Sequence, residues 1–313
     1  MIELARIEAA ALRIAPHVRR TPLLDAGPLP GGEPGSRLLL KLENLQVTGS
    51  FKARGATNKV LTLSQEQVSR GLVTASGGNH GLGVAFAGRL AGAPVTIYLP
   101  SNVPPAKGEK LERWGARLRW QGAVWDEANA GALEAAEREG LTYVHPFADP
   151  EVIAGQGTLV LEALEDAPGI DLWLVAIGGG GLIAGVGAAV RGRKPGSRVI
   201  GVEPAGAPTL HASLAAGRVV ELPGISTAAN TLAPRRSDEM NFAIIRETVE
   251  EVVLVSDEEM IDAARWLWFE AGIAAELSGA AAVAALRAGR VPLAGVRSVC
   301  AIVCGAGTAG VEG

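Results

Sequence analysis

The chain contains few of the residues that build disulfide frameworks and metal sites. Its 313 residues include two cysteines and four histidines, and 4% of them are aromatic. Cys300 and Cys304 are four residues apart in a predicted strand, which holds their side chains too far apart for a disulfide. Without a histidine or further cysteine nearby in sequence, zinc is not expected there either. These absences predict a reducing, cytoplasmic setting.

Long apolar runs and an excess of positive charge are also missing. Glycine or a charged residue interrupts every apolar stretch before the ~20 residues needed to cross a bilayer. The first 20 residues, MIELARIEAAALRIAPHVRR, carry glutamates and are predicted to form an amphipathic helix instead of a signal peptide. The formal net charge of −4 argues against nucleic acid or an anionic membrane as the main partner.

What the sequence does have is an alternation of short Val-, Ile- and Leu-rich runs with alanine-rich helical stretches. This pattern is typical of parallel α/β sheets. The predicted strands are 37–43, 71–76, 94–100, 116–121, 142–147, 171–178, 197–204, 250–256 and 297–305. The predicted helices are 79–92, 126–140, 181–192 and 258–272, the last with a capping box of Ser256 and Glu259.

The length of the chain favours two domains over one compact core. The strands between 71 and 147 form a self-contained βαβ series of the size of a small domain. We therefore predict a small domain at 72–146, inserted into a large domain formed by residues 1–71 and 147–313.

Three glycine-rich turns follow predicted strands, where parallel sheets bind their ligands. In SGGNHG (76–81), backbone N–H groups at a helix start could hold a carboxylate or phosphate, with Asn79 as a further donor. A tight loop capped by Asn79 explains this motif equally well. In GGGGLIAG (178–185), four consecutive glycines favour close contact with an anion. In CGAGT (304–308), the cysteine could equally be a buried structural residue.

The second turn also has a rival interpretation. Gly179, Gly181 and Ala184 match the dinucleotide pattern G-x-G-x-x-A, and Glu203 ends the next predicted strand where a ribose-binding acid would stand. The motif indicates a phosphate more firmly than a nicotinamide nucleotide.

Lys52 lies in ENLQVTGSFKARGATNKV (43–60), a segment with no acid between 44 and 58. Residues 48–50 are predicted to cap a helix, so Lys52 would lie in its first turn, where the dipole disfavours a cation. Burial would also lower the ammonium pKa and favour a neutral, nucleophilic amine. The alternative is an exposed helix lysine, with Arg54 and Lys59 nearby. A neutral lysine, an anion-binding loop and a ring-binding asparagine together suggest pyridoxal phosphate.

The segments TGSFKARGA, SGGNHGLG, AIGGGGLIAG, GVEP and CGAG occur in a familiar order and spacing. The chain resembles the serine/threonine dehydratase and serine racemase group of pyridoxal-phosphate enzymes, from RRTPLL (19–24) to about residue 307. The resemblance implies fold type II, the tryptophan synthase β-like architecture. This is an α/β protein with two domains, each having a mostly parallel sheet flanked by helices, and with the cofactor in the cleft between them. A homodimer is also implied.

The resemblance assigns roles by position. Lys52 looks like the Schiff-base lysine and Phe51 like its packing neighbour. Asn79 would bind the 3-oxygen of the cofactor, and Cys304 would face the pyridine nitrogen. The phosphate would be held by Gly178, Gly179, Gly180, Gly181 and Leu182. The substrate carboxylate would be held by the backbone of Ser76, Gly77, Gly78, Asn79 and His80.

The reaction implied by the resemblance is β-elimination by a pyridoxal-phosphate-dependent ammonia-lyase. Serine, threonine or another small β-hydroxy amino acid would give a 2-oxo acid and ammonia. A thiol at Cys304 is a weak partner for the ring nitrogen, which favours a substrate that expels a β-leaving group at once.

β-Replacement, as in cysteine synthases, is the near alternative. Racemisation is expected to be minor, because Gly77 and Gly78 stand where racemases carry a second hydroxyl. A nicotinamide-binding oxidoreductase is the alternative outside this class.

Four further positions have open interpretations. Glu203 of GVEP matches a cation-binding glutamate, but Thr209 replaces the later acid, so we expect no metal and keep Glu203 as a weak candidate. Glu276 is either a glutamate near the cofactor edge or an exposed acid leading a helix. His80 either polarises the substrate carboxylate or bonds its own backbone. AANT (228–231) replaces ADGV near the expected substrate side chain, which leaves the substrate open.

Overall fold

The structure is a computed structural model that describes residues 2–311 of the chain. The strands are β1 (Leu23–Pro28), β2 (Arg37–Lys41), β3 (Leu72–Ala75), β4 (Val95–Leu99), β5 (Arg117–Trp120), β6 (Thr142–Tyr143), β7 (Leu172–Ala176), β8 (Arg198–Pro204), β9 (Glu251–Val255) and β10 (Ser298–Ile302). The α-helices are α1 (Leu4–Ile14), α2 (Lys52–Leu61), α3 (Gln65–Arg70), α4 (Asn79–Ala91), α5 (Pro105–Arg113), α6 (Trp125–Glu139), α7 (Pro150–Asp166), α8 (Gly181–Arg193), α9 (Thr209–Ala216), α10 (Glu239–Thr248), α11 (Asp257–Ala271) and α12 (Leu277–Arg287).

The strands form two sheets. The larger has the order β1-β2-β10-β7-β8-β9, and the smaller has the order β5-β4-β3-β6. All neighbours run parallel except β1 and β2, which are antiparallel. The α/β fold with two mostly parallel sheets, predicted from the alternating runs, is confirmed. The smaller sheet uses only residues within 72–143, whereas the exact domain boundaries stay a prediction.

Burial on both faces explains why the central strands are uninterrupted apolar runs. Every residue of β7 is buried, and β10 pairs with β2 on one side and β7 on the other, with Cys300 opposite Leu39 and Trp173. Helix α12 is buried from Ser278 to Leu286, because its alanines let it pack closely against the larger sheet. Cys300 and Cys304 are both free and buried.

Several sequence-based assignments differ from the structure, since the helices α3, α5, α7, α9, α10 and α12 were not predicted. The strand predicted at 142–147 ends at Tyr143, because Pro146 lacks an N–H and the next two N–H groups, of Phe147 and Ala148, donate to His145 Nδ1 instead of a neighbouring strand. Strand β1 was not predicted. It is an antiparallel edge strand with no buried residue, so it lacks the apolar run that marked the others.

Helix α11 begins as predicted, with the reciprocal capping box of Ser256 and Glu259. Among residues 2–311, no helix has the length and apolar character that a membrane span requires. The carboxyl ends of β3, β7 and β10 are followed by the three glycine-rich turns, and these turns meet at one cleft.

Candidate functional site

The cleft has a volume of about 1170 Å³. Every residue predicted to bind the cofactor or the substrate carboxylate lines it: Phe51, Lys52, Ser76, Gly77, Gly78, Asn79, His80, Gly178, Gly179, Gly180, Gly181, Leu182 and Cys304. Glu203 is not among the lining residues. The fold therefore brings three distant chain segments together around one lysine, while their individual roles stay predictions.

Lys52 is the first residue of α2, at the positive end of the helix. Its Nζ donates to the Pro146 carbonyl at 2.6 Å, and within residues 2–311 it forms no ion pair with a carboxylate. Burial lowers the pKa of this amine to about 8, against smaller opposing effects of Cys304 and Glu276. The exposed-lysine interpretation is therefore wrong for the cofactor-free chain.

The cap predicted at residues 48–50 is displaced. Helix α2 begins after Phe51, and residues 47–49 form a separate 3₁₀ turn in which Thr48 and Gly49 have positive φ angles of 67° and 85°. The Phe51 N–H donates to the Cys304 carbonyl at 3.1 Å, and Ser50 pairs with Gly305. These contacts fix the start of α2, and hence Lys52, to the third glycine turn.

The four-glycine turn offers unpaired N–H groups to the cleft. In the described part of the chain, none of the N–H groups of residues 178–183 donates to a protein acceptor, as expected at the start of a helix. The Gly179 carbonyl is held by Ser237 Oγ at 3.0 Å and Asn241 Nδ2 at 2.8 Å. The start of α8 and its dipole are therefore suited to bind an anion.

Glycine is required in this turn for steric reasons. A Cβ at Gly179 would lie 2.2 Å from Cδ1 of Phe147, and one at Gly181 would lie 2.7 Å from the Phe147 carbonyl oxygen. Gly180 has a φ of +93°, in the region that favours glycine. The turn is therefore packed against Phe147 on one side.

The turn at 76–80 begins α4. The Asn79 side chain donates to Glu276 Oε1 at 2.7 Å. His80 Nε2 contacts the Val144 carbonyl at 2.9 Å and Thr74 Oγ1 at 3.1 Å, so the side chain does not bond its own backbone. Its role toward the substrate carboxylate stays a prediction. Burial lowers the pKa of His80 to about 3, so its ring is neutral at physiological pH.

A chain of hydrogen bonds joins the turn at 76–80 to the segment 228–231. Ser278 Oγ donates to Glu276 Oε1 at 2.6 Å, and Thr231 Oγ1 donates to Ser278 Oγ at 2.6 Å. Burial raises the pKa of Glu276, so the alternative of an exposed acid is wrong. Cys304 Sγ donates to the Ser278 carbonyl at 3.3 Å, and burial raises its pKa, which keeps it a neutral thiol.

A buried ion network that sequence reasoning missed anchors α2. Arg54 is fully buried and donates to both oxygens of Glu43 at 2.8 Å and to both oxygens of Glu162 at 2.7 and 2.8 Å. Lys41 Nζ also donates to Glu162, at 2.6 Å. Two cations and two anions balance within hydrogen-bond distance, which offsets much of their desolvation cost. No charge pattern in the sequence indicates these partners, since they come from β2, the turn that follows it, α2 and α7.

Glu203 does not fit the role of a ribose-binding acid. It is fully buried, and its two carboxylate oxygens accept the N–H groups of Leu210 and His211 at 2.8 and 2.9 Å. Burial raises its pKa to about 7 despite these two bonds. Within the described residues, no group of three or more His, Cys, Asp and Glu side chains could hold a metal ion.

Comparison with known proteins identifies the family. The profile of the family described as "Pyridoxal-phosphate dependent enzyme" matches residues 14–305. The chain belongs to this family. It is 42% identical to the L-threonine ammonia-lyase of Thermotoga maritima over 286 residues, 91% of this chain and 71% of the relative.

Solved structures of the same family have the same fold. The maize serine racemase matches with a TM-score of 0.91 and 35% identity, over 97% of this chain and 93% of that one. The processed form of threonine deaminase isoform 2 from Solanum lycopersicum matches with a TM-score of 0.90 and 34% identity, over 97% and 89%. The predicted fold type, family and cofactor are confirmed, and the nicotinamide alternative is wrong.

The described residues fit pyridoxal phosphate. The amine of Lys52 has no carboxylate partner, and the N–H groups of 178–183 have no protein acceptor, in the residues that the structure describes. An aldehyde can react with the first, and a phosphate can bind the second. Both line the same cleft, with Asn79 and Cys304.

Replacing Lys52 by methionine tests the burial of its amine in the cofactor-free protein. Below pH 8 both folded and unfolded wild type carry the proton, so burial of the ammonium destabilises the fold. As the pH rises from about 8 to 10.5, the folded protein loses that proton before the unfolded chain does, so wild-type stability rises. We expect Lys52→Met to be more stable at pH 7, with an advantage that shrinks over this window.

The measurement is urea unfolding of both cofactor-free proteins from pH 7 to 10.5. Lys110→Met, at an exposed lysine of α5, is the control and should show no such trend. A constant stability difference between wild type and Lys52→Met across the window would contradict a buried amine.

Gly179→Ala tests the glycine cradle. The added Cβ overlaps the Phe147 ring, so the turn must shift and its N–H groups lose their alignment. We expect the cofactor dissociation constant to rise about tenfold or more, measured by absorbance titration of cofactor-free protein. Gly169→Ala is the matched control, because its Cβ would meet no atom within 4 Å. Equal affinities for both variants would show that the turn does not hold the phosphate.

Proposed function

We propose that the protein is a pyridoxal-phosphate-dependent lyase that catalyses β-elimination of a small β-hydroxy amino acid such as L-threonine or L-serine. The products are a 2-oxo acid and ammonia. The observation that carries this proposal is the buried amine of Lys52, which shares one cleft with the N–H groups of 178–183. Within residues 2–311, the amine has no carboxylate partner and these N–H groups have no protein acceptor. The similarity to proteins named L-threonine ammonia-lyase supports the choice of reaction.

Lys52 is the acid and base of the reaction. When bound, pyridoxal phosphate supplies an aldehyde that combines with amines and a conjugated ring that accepts electrons from Cα. An amine with a pKa of about 8 is partly neutral near physiological pH and can take the Cα proton. It can then return this proton to the departing β-oxygen, so that the leaving group is neutral water and not hydroxide.

The two helix starts orient the reactants. The N–H groups at the start of α4 hold the substrate carboxylate, and those at the start of α8 hold the phosphate. Asn79 donates to the 3-oxygen of the cofactor, and its orientation is fixed by its bond to Glu276. Phe51 packs beside Lys52, and the centre of the Phe51 ring lies 5.1 Å from Lys52 Nζ.

The neutral Cys304 thiol suits elimination. Its hydrogen is directed to the Ser278 carbonyl, so it has no proton to give to the ring nitrogen in this arrangement. A bound ring without that proton would accept electrons from Cα less well, which favours substrates that lose a β-hydroxyl at once over racemisation.

Racemisation is the second candidate because the maize serine racemase is similar in structure. This chain has glycine at residues 77 and 78, and a Cβ at Gly77 would lie 2.9 Å from Val103 Cγ1. The chain thus has no side-chain hydroxyl at residue 77, and Val103 would hinder any side chain placed there. β-Replacement shares the elimination half of the reaction and differs only in the nucleophile that follows.

The direct test is incubation of purified protein with a panel of β-hydroxy amino acids. We expect ammonia and 2-oxo acid in equal amounts, with little of the opposite enantiomer by chiral chromatography. Added sulfide should not divert the reaction to a β-replacement product. Lys52→Ala should lose at least ~10²-fold in kcat because it removes the acid and base, whereas Lys110→Ala should keep full activity. Faster formation of the enantiomer than of ammonia would favour a racemase, and an unchanged rate in Lys52→Ala would refute the mechanism.

We also propose that the protein is a cytoplasmic homodimer. Helix α11 carries two large exposed aromatic side chains, Trp268 and Phe269, which are 37% and 76% exposed. Exposed aromatic side chains of this size are typical of protein interfaces. A second copy of the chain is the occupant that the resemblance to this enzyme group supports.

Sedimentation equilibrium tests the dimer. We expect twice the mass of one chain, and a shift toward one chain in Phe269→Glu, because a carboxylate would be buried without a partner. Leu12→Glu, at an 80% exposed residue of α1, is the control and should leave the mass unchanged. A single-chain mass for the wild type would contradict the proposal.

A further inference from the structure

His145 stands in the middle of the cleft wall that joins the three ligand-binding segments. The residue before it, Val144, contacts His80 through its carbonyl at 2.9 Å. The residue after it, Pro146, accepts from Lys52 Nζ at 2.6 Å. Phe147 then packs against Gly179 of the phosphate turn. These neighbours are assigned to the substrate carboxylate, the catalytic amine of Lys52 and the phosphate, so His145 lies in the cleft wall between all three.

The surrounding structure fixes the tautomer of His145. Its Nδ1 accepts the N–H groups of Phe147 at 3.2 Å and Ala148 at 2.7 Å. A nitrogen that accepts cannot carry the proton of a neutral ring, so Nε2 carries it. Edge contacts with Tyr143 and Phe147, at centroid distances of 6.0 and 4.7 Å, hold the ring in this orientation.

The ring is neutral at physiological pH. Burial lowers the pKa of His145 to about 4, and the charge of Lys52 lowers it further, whereas Asp238 and Asp149 act in the opposite direction. Such a ring donates a hydrogen bond through Nε2–H without bringing a charge into the cleft.

The Nε2–H group is without a protein acceptor among residues 2–311, although the ring lines the cleft. The half-buried ring leaves this donor open to the cleft, where a ligand oxygen or water can accept from it. The ring is thus held rigidly on one edge while its opposite edge presents one donor to the cleft. That arrangement suits recognition of an oxygen on the substrate.

We propose that His145 is a specificity-determining residue whose Nε2–H donates a hydrogen bond to the β-oxygen of the substrate. This inference rests on the proposed elimination and names the group that recognises the leaving oxygen. As the Cβ–O bond breaks, its electron pair stays on the oxygen and the bond from Nε2–H strengthens. Lys52 supplies the proton that completes water, so His145 keeps its own.

The test compares two leaving groups in holoenzyme variants. We expect His145→Phe to lower kcat/KM for L-serine about tenfold or more, since the donor is lost. With β-chloro-L-alanine the loss should stay within about threefold, because chloride needs neither a proton nor a strong donor. His145→Asn, whose amide can donate, should recover part of the serine rate. His211→Ala, at an exposed histidine of α9, is the control.

A second readout separates recognition from a structural role. The change in visible absorbance on binding L-alanine, which has no β-oxygen, should be unaltered in His145→Phe. The melting temperature should fall in His145→Phe, because the N–H groups of Phe147 and Ala148 lose their acceptor. His145→Leu replaces the phenylalanine variant if that one does not fold. Equal losses on both substrates, weaker binding of L-alanine or an unchanged serine rate would overturn the inference. If the wild type releases ammonia from no β-hydroxy amino acid, the proposed function itself fails.

Discussion

An amine buried without a carboxylate partner is the constraint on which the rest of the site depends. Lys52 occupies the first position of α2, where both burial and the helix dipole disfavour its charge. A fold gains nothing in stability from such a group. The amine donates to the Pro146 carbonyl and shares one cleft with the start of α8, where, among the described residues, the N–H groups of 178–183 have no protein acceptor.

Burial shifts the pKa values of the other titratable groups around Lys52. The pKa of His80 is lowered and those of Glu276 and Cys304 are raised, in each case chiefly by loss of solvent. Away from the cleft, Arg54 is paired with its carboxylate partners. Charged side chains, including Lys107, Asp126 and Asp238, also line the cleft, so the phosphate and carboxylate of the ligands would enter a site with charges of both signs.

The sequence predicted the central strands, the three glycine turns and the importance of Lys52, because these depend on local apolar pattern and backbone requirements. It could not predict what depends on contacts between distant segments. The carboxylate partners of Arg54 are Glu43, just after β2, and Glu162 of α7. The hydrogen bonds from Thr231 to Glu276 likewise join residues far apart in sequence. The tautomer of His145 is set by the N–H groups of Phe147 and Ala148, at the end of a segment that was predicted to be a strand.

The central claim is that the cofactor is bound covalently through the amine of Lys52. Borohydride reduction of the purified holoenzyme, followed by proteolysis and mass spectrometry of the peptides, tests it most directly. The account predicts that the peptide containing Lys52 carries the mass of the reduced cofactor and that no other lysine does. Attachment to a different lysine, or an unmodified Lys52 in fully active protein, would contradict it.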